Sequence, residues 1–168
     1  MTVSPSLRTT LTAAIILAVL LVYFPLHLLR LDTWLSGALA PLLPYTGVLL
    51  FFIGFALSFS GTYYLIRRGD GTPLLFAPPQ RLVVAGPYSH LQHPILLGVL
   101  VMLLGETLWL RSPSVGIYAA LLSILSHCYV VYVEEPRLTQ RFGVDYCAYQ
   151  RTVPRWLPQL TSLREEES

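Results

Sequence analysis

Residues 94–135 read PILLGVLVMLLGETLWLRSPSVGIYAALLSILSHCYVVYVEE. Two apolar blocks, Pro94–Leu110 and Val115–Val133, are parted only by Arg111, Ser112, Pro113 and Ser114. Crossing about 30 Å of hydrocarbon takes roughly 20 helical residues, and the blocks approach or reach that length. So short a connection permits only a tight antiparallel turn, which predicts a helical hairpin. His93 precedes the first block, and Glu134 and Glu135 follow the second. The hairpin therefore carries all three to one end. Gly98 and Gly105 in the first block offer small surfaces for close helix approach.

Two more apolar blocks lie upstream. Thr10–Leu29 is predicted to span, with Pro25 kinking its end, and Tyr45–Ile66 is closed by Arg67, Arg68 and Gly69. The first is longer than the ~7–15-residue core of a secretory signal and lacks a small-x-small cleavage site, so it reads as a retained anchor. Leu31–Pro44 is too short and Pro-broken to span and reads as an interfacial or re-entrant piece. Hydrophobic residues make up 54% of the 168 and charged residues only 12%, with mean hydropathy +0.60. Soluble domains carry about 25% charged residues, so this is a membrane protein. The expected fold is an all-α polytopic bundle of about four transmembrane helices. It forms one integral membrane domain over 1–168: amino-terminal helices to 66, a chemistry-bearing half over 67–158 and a polar tail over 159–168.

The net charge of +2 is too small for a nucleic-acid partner. Cys128 and Cys147 form no disulfide framework or zinc spacing. All basic residues are Arg. Nine of them (Arg8, Arg67, Arg68, Arg81, Arg137, Arg141, Arg151, Arg155 and Arg164) fall on one side of a four-span topology, against Arg30 and Arg111 on the other. That bias predicts a multi-pass protein with both termini cytoplasmic.

Most of the polar information lies in residues 71–94 and 134–158, which the topology places on that cytoplasmic side. Pro94 suits the first position of a helix, where its missing N–H costs nothing. His93 then stands at the helix mouth, where free N–H groups favour an anionic ligand group, or else it simply caps the helix toward water. Glu134 and Glu135 are expected at the carboxyl end of the fourth span, where the dipole disfavours negative charge. They need a cationic ligand, water, or a pairing with Arg137 or Arg141 at a solvated membrane border. Glu106, inside a span, is a functional suspect that also fits pairing with Arg111. His127 reads as an interhelical hydrogen-bonder or a pocket residue. Tyr146, Tyr149 and Trp156, with the Pro154/Pro158 bracket, read as an interfacial anchor or a lid.

In these segments Gly86-Pro87-Tyr88, His93-Pro94 and Glu134-Glu135-Pro136-Arg137-Leu138 are followed by Phe142-Gly143-Val144-Asp145-Tyr146-Cys147-Ala148-Tyr149 and Val153-Pro154-Arg155-Trp156-Leu157-Pro158. In this order they resemble the isoprenylcysteine carboxyl methyltransferase and phospholipid N-methyltransferase superfamily of integral membrane enzymes, over roughly residues 71–158. The resemblance implies a cytoplasmic pocket for S-adenosyl-L-methionine, formed by the 67–94 loop and the carboxyl-terminal segment. Gln80, Arg81, Leu82, Val83, Tyr88, His93, Pro94, Ile95, Leu96 and Glu134 would line it. It implies methyl transfer to a lipophilic acceptor (a prenylcysteine-type carboxylate, a phospholipid amine or similar), with Glu135 or His127 as proton acceptor for an amine. Membrane lipids are the expected surroundings, and no obligate protein partner is implied. This chain departs from the family pattern at Gln92, where Arg is usual, and at Leu96, where Tyr is usual. The Gly-x-Tyr and His-Pro elements also resemble NADPH-dependent sterol-type reductases, and a non-catalytic scaffold is the third alternative.

Overall fold

A computed structural model of the chain describes residues 12, 14–32, 42–69 and 80–159. Among the described residues all regular structure is helical, with no strand. We number the helices α1 (Ala14–Leu28), α2 (Leu43–Gly69), α3 (Pro94–Leu110), α4 (Pro113–Phe142) and α5 (Val144–Thr152). By length and apolarity α2 and α4 are each able to cross a membrane, while α1 and α3 are shorter apolar helices. Most of the Leu31–Pro44 piece, residues 70–79 of the loop, and both chain ends lie outside the described residues.

Helices α2 and α3 pack backbone to backbone. A Cβ placed on Gly54 would stand 2.5 Å from the Gly98 carbonyl oxygen, and one on Gly47 would stand 2.6 Å from that of Gly105. Glycine at these positions removes the side chains that would hold the axes apart. Ser58 Oγ ties the interface by donating to the Ile95 carbonyl at 2.8 Å. The partner of Gly98 and Gly105 is thus α2, and its matching glycines repeat every seven residues at 47, 54 and 61.

The α3–α4 hairpin forms as expected. Arg111 adopts a left-handed conformation (φ 52°), ending α3 with its N–H on the Thr107 carbonyl. Ser112 then caps α4, its Oγ accepting from Val115 N–H at 3.1 Å. Asp32, just past α1, accepts hydrogen bonds from Ser112 Oγ and from Ser114 Oγ, the latter at 2.6 Å. This clamp fastens α1 to the turn. Burial pushes the Asp32 carboxyl up, but the bonds from Ser112 and Ser114 outweigh it and hold the group below its ordinary range.

Two sequence expectations need correction. The fourth helix does not stop before the glutamates: α4 runs on to Phe142 through a π-helical turn at Val130–Glu134. Pro136 explains the turn, because a proline offers no N–H and crowds the carbonyl four residues back. Widening the ladder by one residue relieves the crowding, and Glu135 N–H bonds the Val130 carbonyl, five residues earlier. The glutamates therefore sit inside a helix, and the expected end-of-helix dipole penalty does not arise. Pro25 likewise follows a π turn at Val19–Tyr23, with Phe24 N–H on the Val19 carbonyl. Pro25 has no proton for the Leu20 carbonyl, and Tyr118 Oη on α4 donates to it at 3.4 Å.

Candidate active site

The open end of the hairpin assembles the polar residues. Gly86 (φ 62°) begins a 3-10 turn, Gly86–Ser89, and its missing side chain leaves room for the Tyr64 ring, which a Cβ would meet at 2.5 Å. This turn leads the chain into His93 and Pro94. His93 is buried at the mouth of α3, with Pro94 in the first helical position. Leu97 N–H returns to the His93 carbonyl at 3.0 Å, so Ile95 and Leu96 N–H have no acceptor within the helix.

From α4, Glu134 Oε1 comes within 3.6 Å of His93 Nδ1, and Glu135 Oε1 within 4.0 Å of His93 Nε2. The two glutamates then differ. Glu135 is buried and held by Arg155, whose Nε and Nη2 donate at 2.5 and 3.0 Å. Its partner is thus Arg155 from beyond α5, in place of the expected Arg137 or Arg141. Glu134 keeps a third of its side chain exposed. With Glu135 neutralised by Arg155, Glu134 is the carboxylate left to meet a cation. His93 Nε2 is buried without a hydrogen-bond partner among the described residues, so an unsatisfied polar atom also lies beside the two glutamates.

The 153–159 segment straps over this end. Gln92 N–H donates to the Pro154 carbonyl at 3.0 Å, and Gln92 Nε2 donates to the Val153 carbonyl at 2.6 Å. Gln159 N–H donates to the His90 carbonyl at 3.1 Å. The departure at Gln92 therefore has a structural role: a neutral amide donor buried against the end of α5 fastens the strap. Between these fixings, Trp156 stands 5.8 Å from the His93 ring and 6.1 Å from the His127 ring, and its Nε1–H donates to His127 Nδ1 at 3.1 Å. His127 therefore bonds the strap, where an interhelical partner was one expectation.

A second layer supports the strap. Tyr146, Tyr149 and Val153 form a buried cluster against which Leu82, Val84, Leu138 and Phe142 pack. Tyr149 Oη donates to the Tyr88 carbonyl at 2.7 Å, tying α5 to the Gly86 turn. Burial, reinforced by Glu134, raises the Tyr88 phenol; burial, with both glutamates, raises Tyr146. Burial and its tyrosine neighbours raise Tyr149. All three stay protonated at neutral pH.

The structure thus brings His93, Pro94, Glu134, Glu135 and His127 together, with Tyr88 close enough to feel the Glu134 charge. Ile95 and Leu96 form the first turn behind them. Val83 is buried and Leu82 belongs to the supporting cluster. Gln80 and Arg81 are exposed, their N–H groups on the Gly69 carbonyl at 2.8 and 3.4 Å, two turns past the level where Gly61 meets Pro94. Glu106 makes no ion pair with Arg111; it is buried, and its Oε2 lacks a partner among the described residues. Sequence reasoning did not single out Arg155 as the partner of Glu135. The available signal was a stiff Pro154–Pro158 bracket holding an opposite charge.

Comparison with curated proteins gave no match. The family model for phospholipid methyltransferase matches residues 43–145, from the first residue of α2 to the start of α5 and more than half of the chain. With helices able to cross a membrane and a polar site at the hairpin's open end, the chain belongs to the phospholipid methyltransferase family, which supports a membrane methyltransferase acting on a lipid-type substrate.

Proposed function

We propose that the protein transfers a methyl group from S-adenosyl-L-methionine to a lipophilic acceptor at the cytoplasmic membrane face. The observation that carries this reading is the meeting of His93 and Glu134 at 3.6 Å, with the Glu134 carboxylate open and His93 Nε2 unsatisfied. These groups fit the methionyl end of the cofactor, which bears an ammonium and a carboxylate. Glu134 would accept from the ammonium, and the free Ile95 and Leu96 N–H groups at the start of α3 would receive the carboxylate. Tyr88, Pro94 and the 80–83 stretch complete the proposed lining. When bound, the cofactor supplies an electrophilic methyl on a sulfonium.

The chain's own contribution is positioning and exclusion of water. Trp156 and the strap cover the side of the site where His93 lies. Glu135 and His127 are the proposed proton acceptors for an amine substrate. Both are already engaged, Glu135 by Arg155 and His127 Nδ1 by Trp156. For His127 to accept a proton at Nδ1, Trp156 has to move away. The Arg distribution favours a four-span arrangement with both termini cytoplasmic. Family membership favours methyl transfer over the reductase and scaffold alternatives.

The test is incubation of the purified protein with methyl-labelled S-adenosylmethionine and a membrane lipid extract, alongside Glu134→Gln. Label is expected in a lipid with the native chain. Glu134→Gln should lose about tenfold or more in S-adenosylhomocysteine affinity, since a hydrogen bond to a charged group contributes roughly 1.5–3 kcal/mol. Unchanged affinity in that variant would remove Glu134 from the site, and binding of NADPH instead would overturn the reaction class.

A further inference from the structure

A groove of about 380 Å³ runs between α3 and α4, bounded by Leu97 to Thr107 on one helix and Gly116 to Ser123 on the other. Its α3 side runs over ten residue steps, roughly 15 Å at the helical rise. Leu97 marks its upper end, one turn below His93, to whose carbonyl its N–H bonds. The α4 side is built from Gly116, Ala119, Ala120 and Ser123, too small to fill the space. The only hydroxyls in the lining, Thr107 Oγ1 and Ser123 Oγ, are both donated within their own helices, to Leu103 and Ala119 carbonyls at 2.8 Å. The walls therefore have no free donor for a polar guest.

We propose that this groove seats one hydrocarbon chain of the acceptor lipid, leading away from the His93–Glu134 site along the hairpin. Three observations select that occupant. The groove begins at Leu97, one turn from His93, its lining is apolar with its hydroxyls already bonded, and it lies between apolar helices of a family that acts on lipid-type substrates. The proposal rests on the methyl-transfer reading and extends it: the hairpin would hold the acceptor by its tail, while the polar end faces Glu134.

The test uses the full chain in phosphatidylcholine nanodiscs containing phosphatidylethanolamine with a photoactivatable diazirine on one acyl chain. Labelling is expected to concentrate on residues 97–107 and 116–123. Ala120→Phe should fill the groove and lower that labelling about tenfold. Ile117→Phe, which adds a ring at an exposed position of α4, should leave it unchanged. S-adenosylhomocysteine binding and melting temperature should hold in both variants. Labelling spread evenly onto the exposed Phe52 and Phe59 of α2 would overturn the proposal. So would groove labelling indifferent to Ala120→Phe, or efficient disulfide cross-linking of Ala120→Cys between copies, which would make the groove an interface. Concentrated, Ala120→Phe-sensitive labelling in a protein that methylates no lipid would sustain the tail site and count against the proposed reaction alone.

Discussion

Helix α3 has two neighbours and treats them differently. Toward α2, Gly98 and Gly105 meet Gly54 and Gly47, and no room for a methyl remains. Toward α4, Gly116, Ala119 and Ala120 are also small, yet an apolar groove stays open. Small residues are therefore not a sufficient instruction to pack closely. On the α2 side glycines face glycines in a shared seven-residue register, so the backbones close together. On the α4 side the hairpin is held at its two ends: by the Arg111–Ser112 turn, which Asp32 ties to α1, and by the His93, Glu135, Arg155 and Trp156 cluster at the mouth.

The contrast can be broken most violently at Gly54. Gly54→Leu drives a side chain into the Gly98 carbonyl and Met102 N, and backbone cannot yield as a side chain can. About 3 kcal/mol or more of destabilisation is expected, read as lost folded yield and a lower melting temperature in detergent. A stable Gly54→Leu protein would show that α2 and α3 do not meet through backbone.

The end clamps come next. Arg155→Ala leaves the buried Glu135 carboxylate without its partner. Because Arg155 is itself partly exposed, about 1–2 kcal/mol is expected. Adding Glu135→Gln to that variant should recover most of the loss, and a double mutant as unstable as the single would mean the charge is not what matters. Asp32→Ala, at the other end, should cost about 1 kcal/mol through its lost bonds to Ser112 and Ser114. Its pH dependence has a definite sign. The folded carboxyl titrates below its ordinary 3.8, so its contribution is complete above that value and disappears as pH falls through the lowered one. Native protein should show this acid-side loss, and Asp32→Ala should not.

The smallest effect sharpens the comparison. A Cβ on Gly116 meets only the Thr107 Cγ2 methyl, at 3.0 Å, and that side chain can give way. Gly116→Ala should change stability by less than about 1 kcal/mol, with helix propensity favouring alanine. Equal damage from Gly116→Ala and Gly54→Ala would erase the distinction between the two faces.

Much of this was legible from residue order. Four residues between two apolar blocks admitted only a hairpin, and the hairpin put His93 and the glutamates at one end. The extent of α4 was not legible in the same way. Glu134, Glu135 and Pro136 looked like a terminus, yet one π turn let the helix pass the proline. Nor was the partner of Glu135 evident, since several arginines compete for it in sequence and only packing ranks them.

By itself the amino-acid order determined the apolar helices, the turn at Arg111 and Ser112, and the polarity of the hairpin's ends. These follow from local hydrophobicity and backbone chemistry, which act over a few neighbouring residues. The tertiary structure alone decided that α2 closes on α3 while α4 leaves a groove, that Arg155 takes Glu135, and that Trp156 lies between His93 and His127. Those are meetings of surfaces distant in the chain, chosen by shape and by which charge arrives first in space.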